Sequence, residues 1–446
     1  MLTVTIPNDH VKERTYVVRV LLEHYCGIPV DVITQDSAED YMLRWDNKSI
    51  RIADAFFGKI KSGTSYPQTT NLPEKVFKAQ SALLHDITIL YGEDHVVMQS
   101  DKIDCHADLF AGAFFMLTRW EEALPVEKDQ YTRFPAKATV AVREGFILRP
   151  VVDEYCQLIR KWLERLNYPM PKETNAFRIV PTCDVDIPFF WRGRPVWKAL
   201  GGLFRKHFNP IKSLKDYRDY KHVQEGKAKD PYDTFSDMMS WAEKRNLTFE
   251  FNFIAGGNTK YEGYYVLNEP SIQKLLVEIK QRNHKIGLHP SFDTYLDAEQ
   301  IRKEKSALEE ATGTSVRASR QHFLRFQLPV TWRNLAEAGL EEDCSMGYAA
   351  EPGFRCGTSR PFPVFDIHQR RQLNLIERPL LVMDVSLRFY KKLSIEESIA
   401  LCKTIKSEVQ KHNGEFIFLW HNSTLSEIDD WQPWQSVFAS LMEEPS

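Results

Sequence analysis

From residue 177 onward, short apolar runs alternate with helical patterns, and this rhythm narrows the fold more than any other feature of the chain. The runs are 177–183, Leu247–Phe253, Lys285–Leu288, Ser315–Ser319, Leu380–Met383 and Glu415–Trp420. Helical patterns occupy 233–245, 270–282, 298–311, 329–338 and 394–411. Repeated βα units predict a parallel sheet, open or closed into a barrel. In such sheets the chemistry gathers beyond the carboxyl ends of the strands.

Titratable residues stand at that end of run after run. Asp184 and Asp186 close the first, His289 the third, Arg320 and His322 the fourth, Asp384 the fifth and His421 the last. Scatter would leave some of them mid-strand or at the amino ends. In an extended segment, residues i and i+2 point the same way, so Asp184 and Asp186 would face one site. Two carboxylates that close repel unless a cation or a shared proton intervenes. Taken alone, the pair favours a strand ending in an Asx turn, with both side chains solvated or capping a following helix. The convergence of all these residues favours a shared site.

The chain has 446 residues, too many for one ordinary domain. Residues 1 to about 150 read as a mixed α/β unit, with a helix over 11–25 and half-exposed strands at Tyr41–Trp45 and Ser49–Ile52. The stretch Asp108–Glu122 is a strongly apolar helix, whose aromatic density reads as core. Cys105 and His106, two adjacent metal-ligand types without partners nearby, read as structural. An amphipathic helix spans 150–168, and Pro169 with the polar residues after it forms a linker. The expected division is 1–171, an accessory α/β domain, and 172–446.

The net charge of −3, from 58 basic and 61 acidic residues, argues against a nucleic-acid partner. No apolar run approaches the ~20 residues of a membrane span. Seven cysteines without a C-x-x-C spacing suggest reduced thiols, and the N-terminus does not read as a secretion signal, so a cytoplasmic location is expected. Residues 205–229 depart from the βα rhythm, with eight Lys or Arg against three acidic residues. They read as a solvated helical insertion, or alternatively as a lid over an anionic substrate or a peripheral contact with a phospholipid surface.

The motifs Thr182-Cys-Asp-Val-Asp186, Ile286-Gly-Leu-His289, Ser319-Arg-Gln-His322 and Leu419-Trp-His421 resemble, in order and rough spacing, those of the polysaccharide deacetylase family. These are carbohydrate esterases that include chitooligosaccharide and peptidoglycan deacetylases. The resemblance covers about 245 residues, 177 to 422, and the Asp108–Glu122 helix resembles an N-terminal domain that accompanies one subfamily. It implies a distorted (β/α) barrel of about seven strands, a divalent metal, zinc foremost, and hydrolysis of an N-acetyl group on a glycan or lipid-linked saccharide. By position, Asp184 would be the general base, Asp186 and His289 metal ligands, and His421 the general acid, with Arg320 holding Asp184 ionised.

One departure concerns the third ligand. The family's second motif usually reads His-x-x-x-His, whereas this chain has His289-Pro-Ser-Phe-Asp293. A carboxylate is a competent zinc ligand, so Asp293 and His322 are both candidates. Weak or absent metal binding is the third option. Arg355 and Asp384 are candidate substrate contacts, although Arg355 also fits a surface turn. Two other functions compete. One is a catalytically impaired carbohydrate-binding or scaffold protein that has lost its third ligand. The other is a glycoside hydrolase using paired carboxylates such as Asp184 and Asp384, which leaves His289 and His421 unexplained.

Overall fold

The computed structural model describes residues 1–60, 64–172, 175–193 and 210–444. Two main sheets carry the fold. The first contains β1 (Leu2–Pro7), β2 (Val30–Gln35), β3 (Tyr41–Trp45), β4 (Lys48–Ile52), β7 (Gly92–Met98) and β8 (Lys102–Ala107), in the order β2-β1-β3-β4-β8-β7. A small antiparallel pair, β5 (Phe77–Lys78) and β6 (Thr88–Ile89), stands apart from it. Against this sheet lies the helix Leu109–Thr118, all ten of whose residues are buried. A helix apolar on every side must be enclosed, and its single polar cap, Asp108, is enclosed with it. Asp108 accepts hydrogen bonds from Ala111 N at its own helix and from Ala55 N and Phe56 N across the core. Burial and the neighbouring Asp54 push its carboxyl up to about 8.

The second sheet has the order β14-β15-β13-β12-β11-β10-β9-β17-β16. Its strands are β9 (Arg178–Val185), β10 (Glu250–Phe253), β11 (Lys285–Leu288), β12 (Ala318–Ser319), β13 (Glu342–Asp343), β14 (Phe362–Asp366), β15 (Arg371–Glu377), β16 (Val382–Met383) and β17 (Glu415–Leu419). All neighbours pair in parallel except β14 and β15, which form an antiparallel hairpin. Every apolar run read from the sequence in this half contains a strand, and helices at Phe235–Glu243, Pro270–Gln281, Ala298–Thr312, Val330–Glu337 and Ile395–Lys411 fill the predicted intervals. β13 and the β14–β15 hairpin are additions. Within 205–229, a helix runs over Pro210–Gln224, and residues 205–209 lie outside the described part.

The two halves share one apolar core, which runs from Leu2 and Val4 through Phe114 to Phe365 and Phe418. Polar contacts seal the seam. Tyr16 Oη donates to Pro363 O at 2.8 Å, Val152 N to Gly357 O at 2.8 Å, and the Asp153 carboxylate accepts from Thr358 Oγ1 at 2.6 Å and Ser359 N at 3.0 Å. Arg355 forms a two-pronged ion pair with Glu122, both fully enclosed.

Candidate metal centre

Strand β9 delivers Asp184 and Asp186 to the carboxyl end of the sheet, and its neighbours build the site around them. Asp184 is buried and accepts from Asn252 Nδ2 at 2.9 Å, where Asn252 is its partner on β10. It also accepts from Arg320 Nη1 at 3.1 Å. Arg320, with no exposed surface, is fixed by bonds to Thr182 Oγ1 at 2.7 Å and Cys344 O at 2.8 Å. Burial alone would raise the Asp184 carboxyl, but the charges of Arg320, His289 and His421 outweigh it and hold the group below the usual carboxylate range.

The glycine before the third strand-end residue has a steric reason. A Cβ on Gly287 would stand 2.3 Å from Asn252 Oδ1 and 3.2 Å from Ala318 O. Glycine at this place on β11 leaves room for the side chain of Asn252 on the neighbouring β10, which reaches Asp184 on its other side. Two residues on, His289 Nδ1 bonds to Arg320 O, and its Nε2 lies 3.3 Å from Asp186 Oδ1 and 3.8 Å from Asp184 Oδ2. That bond to a carbonyl places a proton on Nδ1 and turns Nε2 towards the carboxylates.

His322 completes the group. Its Nε2 is 3.5 Å from Asp186 Oδ1, and its Nδ1 meets Glu262 Oε1 at 3.1 Å. One ligand atom from each of Asp186, His289 and His322 lies within 4.8 Å of the others. Asp186 Oδ1 is buried and makes no hydrogen bond, although two imidazoles flank it. A buried carboxylate oxygen is rarely left unpaired, and two imidazole nitrogens with one carboxylate oxygen match the donor set of a zinc-type site with open positions. These three residues could hold a metal ion. Asp293 is directed elsewhere: its carboxylate pairs with Arg325 Nη1 at 2.6 Å, and its side chain is 69% exposed.

Across the site, His421 stands two residues beyond the end of β17. Its Nδ1 faces Asp384 Oδ1 at 2.9 Å, and its backbone N–H donates to Asp384 Oδ2 at 2.8 Å. Thr424 Oγ1 donates to the same carboxylate. Burial lowers the imidazole's proton affinity, but Asp384, Asp186 and Asp184 raise it to about 10. His421 Nε2 is 3.7 Å from Asp186 Oδ2.

Of the residues singled out in the sequence, Asp184, Asp186, His289, Arg320, His322, Asp384 and His421 therefore converge. Asp384 is fully buried behind His421, and Arg355 is locked against Glu122 and Gly347 O. Arg355 also lines a cavity of about 490 Å³ with Arg133, Leu324, Tyr348 and Tyr390. A larger cavity, about 800 Å³, lies at the amino ends of β9, β10 and β11, opposite the site. Sequence reasoning missed Asn252 and Glu262. Asn252 sits inside a predicted strand, where the polar residue between two phenylalanines was a readable signal. Glu262 lies in an irregular stretch and offers none.

Residues 2–168 match the model of a family of unknown function, DUF7033. No curated protein matches the chain. Among solved structures, a protein of Mycobacterium smegmatis assigned as a polysaccharide deacetylase is 13% identical, with a TM-score of 0.40, over 61% of this chain and 84% of that one. A polysaccharide deacetylase from Bacillus cereus is 11% identical, with a TM-score of 0.26, over 60% and 85%. A CE4 family pseudoenzyme from Bacillus anthracis is 10% identical, with a TM-score of 0.30, over 62% and 66%.

Proposed function

We propose that this protein is a metal-dependent hydrolase that removes an N-acetyl group from a sugar of a glycan or glycolipid, on a distorted (β/α) barrel of the polysaccharide deacetylase type, and that it works in the cytoplasm. The observation that carries the reading is the joint arrangement of Asp186, His289 and His322 beside the Asp184–Arg320 pair and the His421–Asp384 pair.

Asp186, His289 and His322 would hold the metal, which when bound would polarise the acetyl carbonyl and acidify a water molecule. Asp184 takes the proton of the attacking water. Arg320 keeps that carboxylate ionised at neutral pH, and Asn252 fixes the oxygen that does not react. His421 carries a proton on Nε2 and gives it to the nitrogen that leaves. Asp384 holds the ring by Nδ1 and supports its positive charge. An amine leaves an amide only when protonated, so a charged imidazole facing the carboxylates is the acid this reaction needs.

The impaired-protein alternative rested on the loss of a third ligand, and His322 beside Asp186 and His289 is a candidate for that ligand. The glycosidase alternative needs Asp384 free, whereas both its oxygens are engaged by His421 and Thr424. The test is to purify the protein, measure bound metal, and follow acetate release from N-acetylglucosamine oligomers before and after chelation. Stoichiometric metal with chelator-sensitive acetate release supports the reading. A metal-replete protein that releases no acetate from any N-acetylated glycan defeats it.

A further inference from the structure

We infer that residues 131–133, within the N-terminal region that matches a family of unknown function, are positioning residues of the metal centre: they hold the turn that presents His322. The inference rests on His322 being a metal ligand, and goes beyond it in giving the N-terminal region a role in the site.

The turn after His322 is strained. Phe323 and Leu324 have φ of 61° and 52°, the left-handed region that residues with a Cβ enter only when their surroundings force them. The reversal follows directly on His322, whose ring lies against Glu262 and Asp186. Within the turn, Leu324 N donates to Gln321 O at 2.9 Å and Arg325 N to His322 O at 3.2 Å. These local bonds are joined by a clamp from far away in sequence. Arg133 Nη1 donates to Phe323 O at 3.0 Å, and Arg325 Nε donates to Thr132 Oγ1 at 2.7 Å. The Tyr131 ring lies tilted against that of Phe323, with centroids 4.9 Å apart.

The clamp is itself anchored. Arg133 Nε pairs with Asp129 at 2.7 Å, its Nη2 donates to Tyr390 Oη at 3.2 Å, and its guanidinium lies 4.9 Å from the centre of the Tyr131 ring. A guanidinium with three oriented partners is a planar brace that lysine cannot copy. The carbonyl it grips belongs to the residue immediately after the ligand, so losing it frees the turn to relax and swing the His322 ring away from Asp186.

Partners that orient a metal's ligands typically cost 10- to 100-fold in affinity when removed. The experiment titrates the metal-free full-length protein with Zn²⁺ against a chromophoric chelator, and with Co²⁺ for its absorption spectrum, in the wild type, Arg133→Leu, Arg133→Lys and Thr132→Val. Expected is a loss of about 10- to 100-fold in Arg133→Leu with a changed Co²⁺ spectrum, only partial recovery in Arg133→Lys, and a smaller loss in Thr132→Val. Should Arg133→Leu not fold, Thr132→Val alone decides, since it removes one hydroxyl. Wild-type affinity in the folded variants overturns the inference while leaving the metal centre standing. A wild type that binds no metal overturns both.

Discussion

Replacing His322 with alanine separates the two candidates for the third ligand when it is compared with Asp293→Ala. The His322 imidazole has its Nε2 3.5 Å from Asp186 Oδ1, is held at Nδ1 by Glu262, and is almost wholly buried. Asp293 is bound to Arg325 and mostly in solvent. Zinc sites in small domains bind with roughly 10–16 kcal/mol shared among four ligands, so one imidazole is worth about 2.5–4 kcal/mol, or roughly 10²–10³ in dissociation constant. His322→Ala should lose that much. Asp293→Ala should keep wild-type affinity and lose no more than ~1 kcal/mol of stability, because an exposed ion pair contributes little. Chelator-competition titration measures the affinities, and a denaturant melt measures the stabilities. Equal and large affinity losses in the two variants, or a loss confined to Asp293→Ala, would refute the assignment.

Three further outcomes are expected. His421→Ala should retain its metal and lose at least ~10²-fold on an N-acetyl sugar but much less on an aryl acetate, whose leaving group needs no proton; equal losses with a lowered melting temperature would make His421 merely structural. Arg320→Met should cost about 3–5 kcal/mol in a denaturant melt, because it strands the buried Asp184 without its cation. Burial opposes the charged form of Glu122, yet Arg355 and Arg119 bring its carboxyl from 4.5 down to about 2, so the pair stabilises the fold above pH 4.5 by roughly 3 kcal/mol and loses this as pH falls towards 2; the stability gap between wild type and Glu122→Gln should narrow over that window, and a gap that stays constant would contradict the ion-pair account.

The site was largely legible because its residues sit one to three positions beyond apolar runs, and a run of four to eight apolar residues marks its own end. Lys285–Leu288 was delimited to the residue, which placed His289 at once. Elements that fail to show are those without such a run. β13 is two residues, Glu342 and Asp343, both acidic, and nothing local announces a strand there. β15 does alternate, with Leu373, Leu375 and Glu377 inward. Its inward Glu377 breaks the apolar pattern, since that carboxylate serves Trp332 Nε1 at 2.8 Å and Met346 N at 3.0 Å. Glu262 and the residues around Arg133 could not be read at all. They reach the site across 60 and about 190 residues of chain, through tertiary contacts that no spacing encodes.

The candidate third ligand shows how one residue can redirect a site. A His-x-x-x-His spacing brings two rings together only on a helix, where i and i+4 share a face. Here Pro290 follows His289 and keeps it extended, and the residues after it take another course. Ser291 is tied to Glu304 through both its N–H and its hydroxyl, and a short 3₁₀ turn begins only at Thr294. With no helix between 289 and 293, the fifth position turns to solvent, and Asp293 becomes a surface partner of Arg325. The vacated direction is reached instead from the adjacent strand. β12 lies beside β11 with Ser319 opposite Leu288, and the ring of His322, three residues past that pair, lies 4.9 Å from the ring of His289, one residue past it. A helical spacing has been replaced by a neighbouring strand and a strained turn. Glu262 meets His322 itself, and Arg133 meets the carbonyl of Phe323 within that turn, so a candidate ligand that no helix holds is braced from two distant parts of the chain.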